Sequence, residues 1–384
     1  MKRFKVMLLA VAGTLFFAAA FAAETDTDKL LNLLVDKKIV TIEDAAALRA
    51  DAAIAKQDEK DSQKIFDVTA GKLINLAGYI QTRGIYDRAK TDSFDIRRAR
   101  LDLKGDISAY FDYRFQVDFG GTTGPFLLDA QFGYKPDPLL KITVGQLKVP
   151  FSQENLADDQ RSEFINRSQV VEALVARSND VIGNQNGRDV GAQISGTLYI
   201  NEDYNALEYT AGVFNGAGIN KADNNSFKDF AARVVVHPLF KELSLGASYY
   251  DGRNTVTYTA KSLLRERAGL EFSFVKDALS LKAEYIKGRD NLGKTISQYT
   301  KANREGWYTS AAYTVLPDLL QAVIKYDKYD PEINTRNNET IVYTAGLNWF
   351  FNKNAALQVD YEIKNEKPKE LDNNVLTGQL TIGF

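Results

Sequence analysis

From about residue 72 to the C terminus, the chain consists of successive segments in which apolar and polar residues alternate. In "YFDYRFQVDF" the apolar or aromatic positions are Phe111, Tyr113, Phe115, Val117 and Phe119, with charged or amide side chains between them. Successive side chains of a strand point to opposite faces, so each such segment has one apolar and one polar face. The segments "FLLDAQFGYK", "RERAGLEFSF" and "ALQVDYEIK" repeat the pattern. Two folds fit: a sandwich with the apolar face inward, or a transmembrane β-barrel with that face towards lipid.

Three features of these segments favour the membrane barrel. Their length of about ten residues suits a tilted membrane strand, whereas soluble strands are usually about five or six residues long. Tyr, Phe and Trp recur at segment ends, as in "YTVLP", "YDKYD" and "NWFF", where an interfacial girdle requires amphipathic rings. Charges lie in mid-strand, which a water-filled lumen accepts and a protein core does not. We therefore predict an all-β fold, a transmembrane antiparallel β-barrel.

The number of alternating segments predicts a barrel of about 16 strands, large enough for an aqueous channel. The predicted spans are 72–87, 94–107, 109–119, 125–135, 139–149, 187–200, 204–214, 227–237, 241–250, 263–275, 278–288, 304–315, 318–330, 339–351, 354–366 and 374–384. Short connections such as "KPDP" and "FVKDA" would be periplasmic turns, and the longer polar ones external loops. In "LKITVGQLKVPF" both parities mix apolar and polar residues, which indicates a bulge or a contact with protein. The final "TGQLTIGF" ends on Phe384 and resembles the assembly signal of bacterial outer-membrane proteins.

The N-terminal part of the chain has a different composition. Residues 1–22 combine a basic start, an apolar stretch and a small-x-small end, which predicts a signal peptide. Residues 23–70 are rich in Ala, Leu, Glu and Lys and predict a helical, coiled-coil-like periplasmic segment; a mobile polar spacer is the alternative. The barrel domain is assigned to residues 71–384.

Composition excludes several classes of function. The absence of cysteine removes disulfides, thiolate chemistry and covalently attached haem. A single histidine, His237, argues against a zinc enzyme or a Ser–His–Asp hydrolase. The net charge of −2 gives no reason to expect nucleic acid as a partner. We therefore expect no enzyme activity, no cofactor and no metal.

The polar faces of the predicted strands carry many basic residues. In "FDIRRARLDLKGDI", Arg98, Arg100 and Lys104 share one face with Asp102. Further basic candidates for the lumen are Arg114, Lys135, Arg233, Arg265, Arg267, Lys282, Lys325, and, from the irregular region, Lys148 and Arg188. Rings or ladders of such side chains can select anions in a pore. Acidic residues fall on the same faces, namely Asp102, Asp112, Asp118, Asp129, Glu271, Glu284, Asp327, Asp360 and Glu362, so a salt-bridged wall around a weakly selective pore is the alternative.

The successive stretches "DIRRARLDLKGDI", "GQLKVPFSQENL" and "FINRS" resemble hallmarks of the phosphate-selective porin O and P family, over about residues 71–384. The resemblance implies a 16-stranded, usually trimeric barrel with arginines and lysines lining the pore and a third loop folded inward at a constriction. Such porins often have a glutamate before the Arg-Ser of "FINRS", where this chain has Asn166.

The third long connection, about residues 151–187, is the expected constriction loop, since loops longer than about 15 residues are usually functional or disordered. Its apolar run of Val170, Val171, Leu174 and Val175 is expected to pack against the barrel wall. Its arginines are then expected to face the pore, opposed by acidic residues of the same loop. These arginines are Arg161, Arg167 and Arg177, and the acids are Asp158, Asp159 and Glu163.

These expectations describe an outer-membrane porin for passive diffusion of small hydrophilic solutes in a bacterial outer membrane. An anion or phosphate preference through the lumen Arg and Lys is an additional hypothesis, with phosphate or other anions as the solutes. The expected partners are these solutes, outer-membrane lipid and two further copies of the chain. The alternative is a barrel that acts as a sleeve or scaffold for a partner protein.

Overall fold

The structure, a computed structural model, describes Lys37 and residues 74–121, 124–175, 187–201, 204–223, 225–255, 262–295 and 298–384. The predicted signal peptide and, apart from Lys37, the predicted helical segment lie outside the described residues. The strands are β1 Asn75–Asp87, β2 Ser93–Asp106, β3 Phe111–Asp118, β4 Phe126–Asp137, β5 Leu140–Lys148, β6 Arg188–Asn201, β7 Tyr204–Phe214, β8 Asp229–Val236, β9 Leu243–Thr255, β10 Ser262–Lys276, β11 Leu279–Thr295, β12 Gln298–Leu316, β13 Leu320–Asp330, β14 Thr340–Asn352, β15 Ala355–Glu366 and β16 Val375–Gly383. Two short helices, α1 Gln153–Leu156 and α2 Gln169–Leu174, lie between β5 and β6.

The sixteen strands form one closed antiparallel barrel in which each strand pairs with its neighbours in sequence and β16 pairs with β1. At the seam the backbone N–H of Gly78 donates to the carbonyl of Phe384 at 3.3 Å, and that of Phe384 donates to the carbonyl of Gly78 at 2.9 Å. Closure leaves no strand edge without a partner, as a membrane barrel requires. The predicted all-β barrel of about 16 strands is confirmed.

Strands β11 and β12 are longer than their sequence pattern indicates. Predicted as 278–288 and 304–315, they extend to Leu279–Thr295 and Gln298–Leu316 and pair almost to their tips. The additional residues include "RDN" at 289–291 and "KAN" at 301–303, whose charged and amide side chains are typical of a loop. Pairing continues there because both faces are polar and the hairpin does not require an apolar face.

The apolar faces of the strands point outward and the polar faces inward. Leu270 and Ile324, for example, are each 62% exposed on the outer surface. On neighbouring strands the rings of Trp307 and Tyr326 lie 4.8 Å apart, and those of Tyr326 and Tyr343 lie 5.3 Å apart, as in an interfacial girdle. No helix among the residues that the structure describes is long and apolar enough to cross a membrane.

The connection between β5 and β6 folds into the barrel; we call residues 149–187 loop L3, of which 149–175 and 187 are described. Its buried Val170, Val171 and Leu174 form an apolar cluster with inward-facing side chains of the wall. The wall residues of this cluster are Phe214, Ala231, Tyr250, Ile286 and Tyr308. The apolar run therefore packs against the barrel wall, as predicted.

The irregular pattern of β5 has its origin in contacts with protein. Leu147 is buried in the L3 cluster, so an apolar side chain occupies the inner face. The amide of Gln146 donates to the carbonyls of Leu127 and Leu128 at 2.7 and 3.0 Å. These contacts replace the lipid and water contacts that give other strands a clean alternation.

Candidate constriction site

A bulge in β2 gives the inner face one more arginine than strict alternation allows. Gln81 of β1 pairs with Arg98, but Thr82 pairs with Ile96, so Arg97 is an extra residue of β2. Its guanidinium donates to the carbonyl of Ile165 in L3 and, at 3.3 Å, to Gln379. A bulge of this type re-aims side chains, and here it places Arg97 and Arg98 side by side towards the lumen.

Asp159 of L3 contacts three arginines. Arg100 Nη1 lies 2.6 Å from its Oδ2 and Arg98 Nη2 lies 3.4 Å from its Oδ1, and Arg167 Nη2 also bonds to Oδ1. Arg100 has a second acidic partner, Asp118, at 2.7 Å. We call Arg98, Arg100, Arg167 and Asp159 the arginine–Asp159 cluster; it fastens L3 to β2 through charge-assisted hydrogen bonds.

Four further arginines of the wall are also paired with acids. Arg188 forms a bidentate pair with Asp129, with Nε–Oδ1 and Nη2–Oδ2 distances of 2.6 and 3.0 Å. Arg233 lies 2.6 Å from Glu271. Arg265 and Arg267 lie 3.6 and 2.8 Å from Asp290. These contacts leave little positive charge directed into open water.

Several lysines of the inner face hold L3 in place. Lys148 Nζ donates to the carbonyls of Asn155, Leu156 and Ala157 at 2.8–3.2 Å. Lys282 lies 3.0 Å from Glu163, and Lys325 donates to the carbonyl of Asn166 at 2.8 Å. Thus part of the predicted basic lining lies beneath the loop and contacts protein atoms.

A cavity of about 690 Å³ opens where β1 begins, at the end of the barrel with the short turns. Lys104, Arg114, Lys141, Asp106 and Asp112 line it; we call this cavity the basic vestibule. Arg114 pairs with Asp102 at 2.8 Å, and Lys141 with Asp112 at 2.7 Å. Lys135, on the neighbouring strand, lies 2.7 Å from Asp106. Lys104 has no acidic partner among the residues that the structure describes.

The basic candidates named from the sequence therefore divide into three groups. Buried, or in contact with L3 or an acid, are Arg98, Arg100, Arg114, Lys135, Lys148, Arg167, Arg188, Arg233, Arg265, Arg267, Lys282 and Lys325. Lys104 and Arg161 are exposed and, within the described ranges, without an acidic partner. Arg177 lies outside the described residues.

We predicted that the arginines of L3 are opposed by acidic residues of the same loop. In the structure, acids of L3 also pair with basic residues of the barrel wall. Asp159 contacts Arg167, but it also reaches across to β2, and Glu163 pairs with Lys282 of the wall. Asn166 donates its side-chain amide to Glu362 at 2.9 Å. A glutamate at position 166 cannot donate such a bond when ionised, so the asparagine suits this acidic neighbour.

Sequence reasoning missed four inward-facing side chains near the site: Arg83, Asp95, Arg97 and Lys141. Arg83 and Asp95 form a bidentate pair with distances of 2.9 and 2.5 Å. For Lys141 the mixed pattern of β5 concealed the parity. For Arg97 and Asp95, the bulge shifts parity by one residue; the two adjacent arginines at the start of "RRAR" are a signal for Arg97 alone.

A cysteine-labelling experiment tests the inner face directly. We expect Lys104→Cys to react with a water-soluble, membrane-impermeant thiol reagent because it lines the basic vestibule. Leu101→Cys, on the opposite face of β2, should react only with a lipid-phase reagent. The chain contains no other cysteine, so no background subtraction is needed. The reverse labelling pattern would show that the inward and outward faces of β2 are interchanged in our assignment.

Comparison with known proteins gives one family and one fold. The model of the family described as "Phosphate-selective porin O and P" matches residues 76–263 and 252–384. The comparison with curated proteins finds no match for the sequence. An anion-selective porin from Comamonas acidovorans superimposes with a TM-score of 0.64 at 13% identity, covering 81% of this chain and 99% of that one.

Two further solved structures have the same barrel. The outer membrane channel DcaP of Acinetobacter baumannii gives a TM-score of 0.60 at 14% identity over 81% of this chain and 97% of that chain. Salmonella typhi OmpF gives a TM-score of 0.59 at 13% identity, over 82% of this chain and 99% of that chain. At these identities the likeness shows the fold.

Proposed function

Because the chain belongs to the phosphate-selective porin O and P family and is an outer-membrane channel for solute diffusion, we propose that it passes small hydrophilic solutes generally, with a mild preference for anions. Family and fold are those of channels rather than enzymes.

The observation that carries the proposal is the pairing of the lumen charges. Arg98 and Arg100, the arginines on which an anion ladder would depend, contact Asp159 and Asp118. The pairs Arg114–Asp102 and Arg233–Glu271 repeat the arrangement. A guanidinium that is bonded to a carboxylate offers a passing anion a weaker field than a free one does. A wall of this kind supports diffusion with little charge selection.

The mild anion preference is assigned to Lys104 and Arg161. Both are exposed basic residues without an acidic partner among the described residues. Lys104 lines the basic vestibule, and Arg161 lies on L3 two residues from Asp159. Charged side chains lining a water-filled pore influence which ions enter it.

Planar-bilayer recording of the purified protein tests the general-diffusion proposal. We expect stable stepwise conductance. In a potassium chloride gradient, the reversal potential should differ only slightly from zero, in the direction of a chloride-selective pore. Millimolar phosphate should reduce the current little. Strong block by phosphate would instead indicate an anion-specific pore. A folded barrel that does not conduct would contradict channel activity and revive the sleeve alternative, which family and fold do not favour.

The assignment to Lys104 and Arg161 predicts the behaviour of a double variant. Lys104→Gln/Arg161→Gln should move the reversal potential to zero or slightly to the potassium side, because it removes two positive charges that have no acidic partner among the described residues. The matched control is Lys287→Gln, an exposed lysine on the outward face of β11. It removes a charge without altering the lumen. Equal shifts in the two variants would show that the preference does not arise from these residues.

The remaining parts of the proposal concern export and assembly. We propose that residues 1–22 are a signal peptide, that residues 23–70 lie in the periplasm, and that three copies associate through their outer surfaces. Exposed apolar side chains on the outer surface, such as Phe115 and Ile142, suit either lipid or a second copy of the barrel.

A further inference from the structure

The arginine–Asp159 cluster has the composition of an anion-binding site that already holds an anion. Three guanidinium groups meet at one carboxylate, and that carboxylate comes from L3 rather than from the wall strand that carries Arg98 and Arg100. Asp159 is 5% exposed. We propose that Asp159 is a tethered anion that fills an oxyanion-binding site formed by Arg98, Arg100 and Arg167, and that it thereby suppresses the anion selectivity of the pore. The inference rests on the proposed function.

The hydrogen-bonding capacity of the cluster exceeds what Asp159 can use. Each guanidinium carries five N–H donors, and a carboxylate offers about four acceptor positions. Nε and Nη1 of Arg167 are buried and make no hydrogen bond with any described residue. A tetrahedral oxyanion such as phosphate, or a second carboxylate, supplies additional acceptors in the planar, bidentate geometry that arginine prefers.

Asp159 compensates part of the positive charge at this position. The bulge adds Arg97, which has hydrogen bonds to Ile165 and Gln379 but no acidic partner among the described residues. Together with Arg98, Arg100 and Arg167 it makes four positive charges, against the negative charges of Asp118 and Asp159. Removal of the Asp159 charge leaves one acid for four arginines. The electrostatic repulsion among the four arginines falls when a solute anion takes the position that the Asp159 carboxylate has left.

The cluster is partly open to solvent. Asp158 and Arg161, near Asp159 along the chain, are exposed. The side chain of Arg98 on β2 is 11% exposed, so one edge of the cluster is in contact with solvent. An oxyanion therefore needs only the place of the Asp159 side chain to complete the site.

Other contacts hold L3 in the barrel when the Asp159 charge is absent. The apolar cluster of Val170, Val171 and Leu174 is on a separate part of the loop. The backbone N–H of Ile165 donates to Asp360 at 2.8 Å, and Lys148 binds the carbonyls at the end of α1. Loss of Asp159 should consequently change ion selection more than pore size.

The test compares Asp159→Ala, which removes both the charge and the volume of the carboxylate, with Asp158→Ala, the same change at its exposed neighbour in the same loop. In bilayers with a potassium chloride gradient, Asp159→Ala should shift the reversal potential clearly towards chloride, and millimolar phosphate should reduce its conductance. The second readout is thermal unfolding in detergent: phosphate should raise the unfolding temperature of Asp159→Ala, because a ligand that binds only the folded state stabilises it. Acetate in place of phosphate distinguishes a general carboxylate site from one that requires a tetrahedral anion.

Each other outcome overturns the inference. If Asp159→Ala and Asp158→Ala behave alike, the cluster is not an anion-binding site. If Asp159→Ala gives a larger conductance without ion preference, the role of Asp159 is only to fasten the loop. Asp159→Glu keeps a carboxylate among the arginines and should show no response to phosphate; a phosphate response in that variant also contradicts a tethered anion. Failure of the proposed function is distinct, because it appears as absent or strongly phosphate-blocked current in the wild type itself.

Discussion

Replacing Val171 and Leu174 of α2 with aspartate is expected to raise the single-channel conductance substantially. Both side chains are fully buried in the apolar cluster between L3 and the wall. Truncation of one buried leucine costs about 2–5 kcal/mol, and burial of an unpaired carboxylate costs more. The double variant should therefore detach α2 and widen the path at the constriction, while the strand pairing of the barrel is unaffected.

Single-channel recordings in bilayers measure this effect, and the electrophoretic shift on heating verifies that the barrel is folded. The matched control is Leu371→Asp, an exposed leucine in the loop before β16, which adds the same charge without touching L3. Unchanged conductance in a folded Val171→Asp/Leu174→Asp barrel would mean that α2 does not narrow the channel.

Replacing Arg188 with methionine should lower the free energy of unfolding by about 3–5 kcal/mol, the usual cost of leaving a buried charge without its partner. Arg188 and Asp129 are 1% and 2% exposed, and the two bonds of their pair join β6 to β4 across β5. Arg114, at 3.3 Å from Asp129, compensates only in part because it is already bonded to Asp102.

Urea unfolding in detergent measures the difference, and a second substitution separates charge from packing. Arg188→Met/Asp129→Leu should recover much of the loss, since a buried ion pair can often be replaced by apolar residues of similar volume. The control is Arg88→Met, whose partner Asp372 lies 3.0 Å away on the loop surface; no measurable change is expected there. A single Arg188→Met variant as stable as the wild type would show that Asp129 finds another cation.

The strand content and the two faces of the barrel were predictable because lipid and water impose opposite requirements on alternate residues. Phe111, Phe115 and Phe132, all apolar in the pattern, are all exposed on the outer surface. Prediction failed where a third environment, protein, replaces lipid or water. Leu147 and Gln146 of β5 lie in contact with other parts of the chain, and the β11–β12 hairpin continues where neither face needs to be apolar.

The site was less predictable than the fold, for a physical reason. Alternation indicates that Arg100 faces inward, but its partners Asp118 and Asp159 depend on strand register and on the path of L3. Register is set by pairing across strands, and a single bulge changes it, as Arg97 illustrates. The alternation of residues within β2 contains no information about the position of Asp159, which lies 59 residues after Arg100 in the chain.

The position of L3 also constrains the order in which the barrel can assemble. The loop precedes β6 in the chain, yet α2 packs against side chains of β11 and β12, and Asp159 bonds to β2. Its contacts with Ile286 and Tyr308 thus require the C-terminal half of the sheet, although Phe214 and Ala231 of the same cluster lie on β7 and β8. Once β16 has paired with β1, the wall is continuous and the loop can enter only from the open end. We therefore expect the enclosure of L3 and the closure of the seam to be coupled late events in folding.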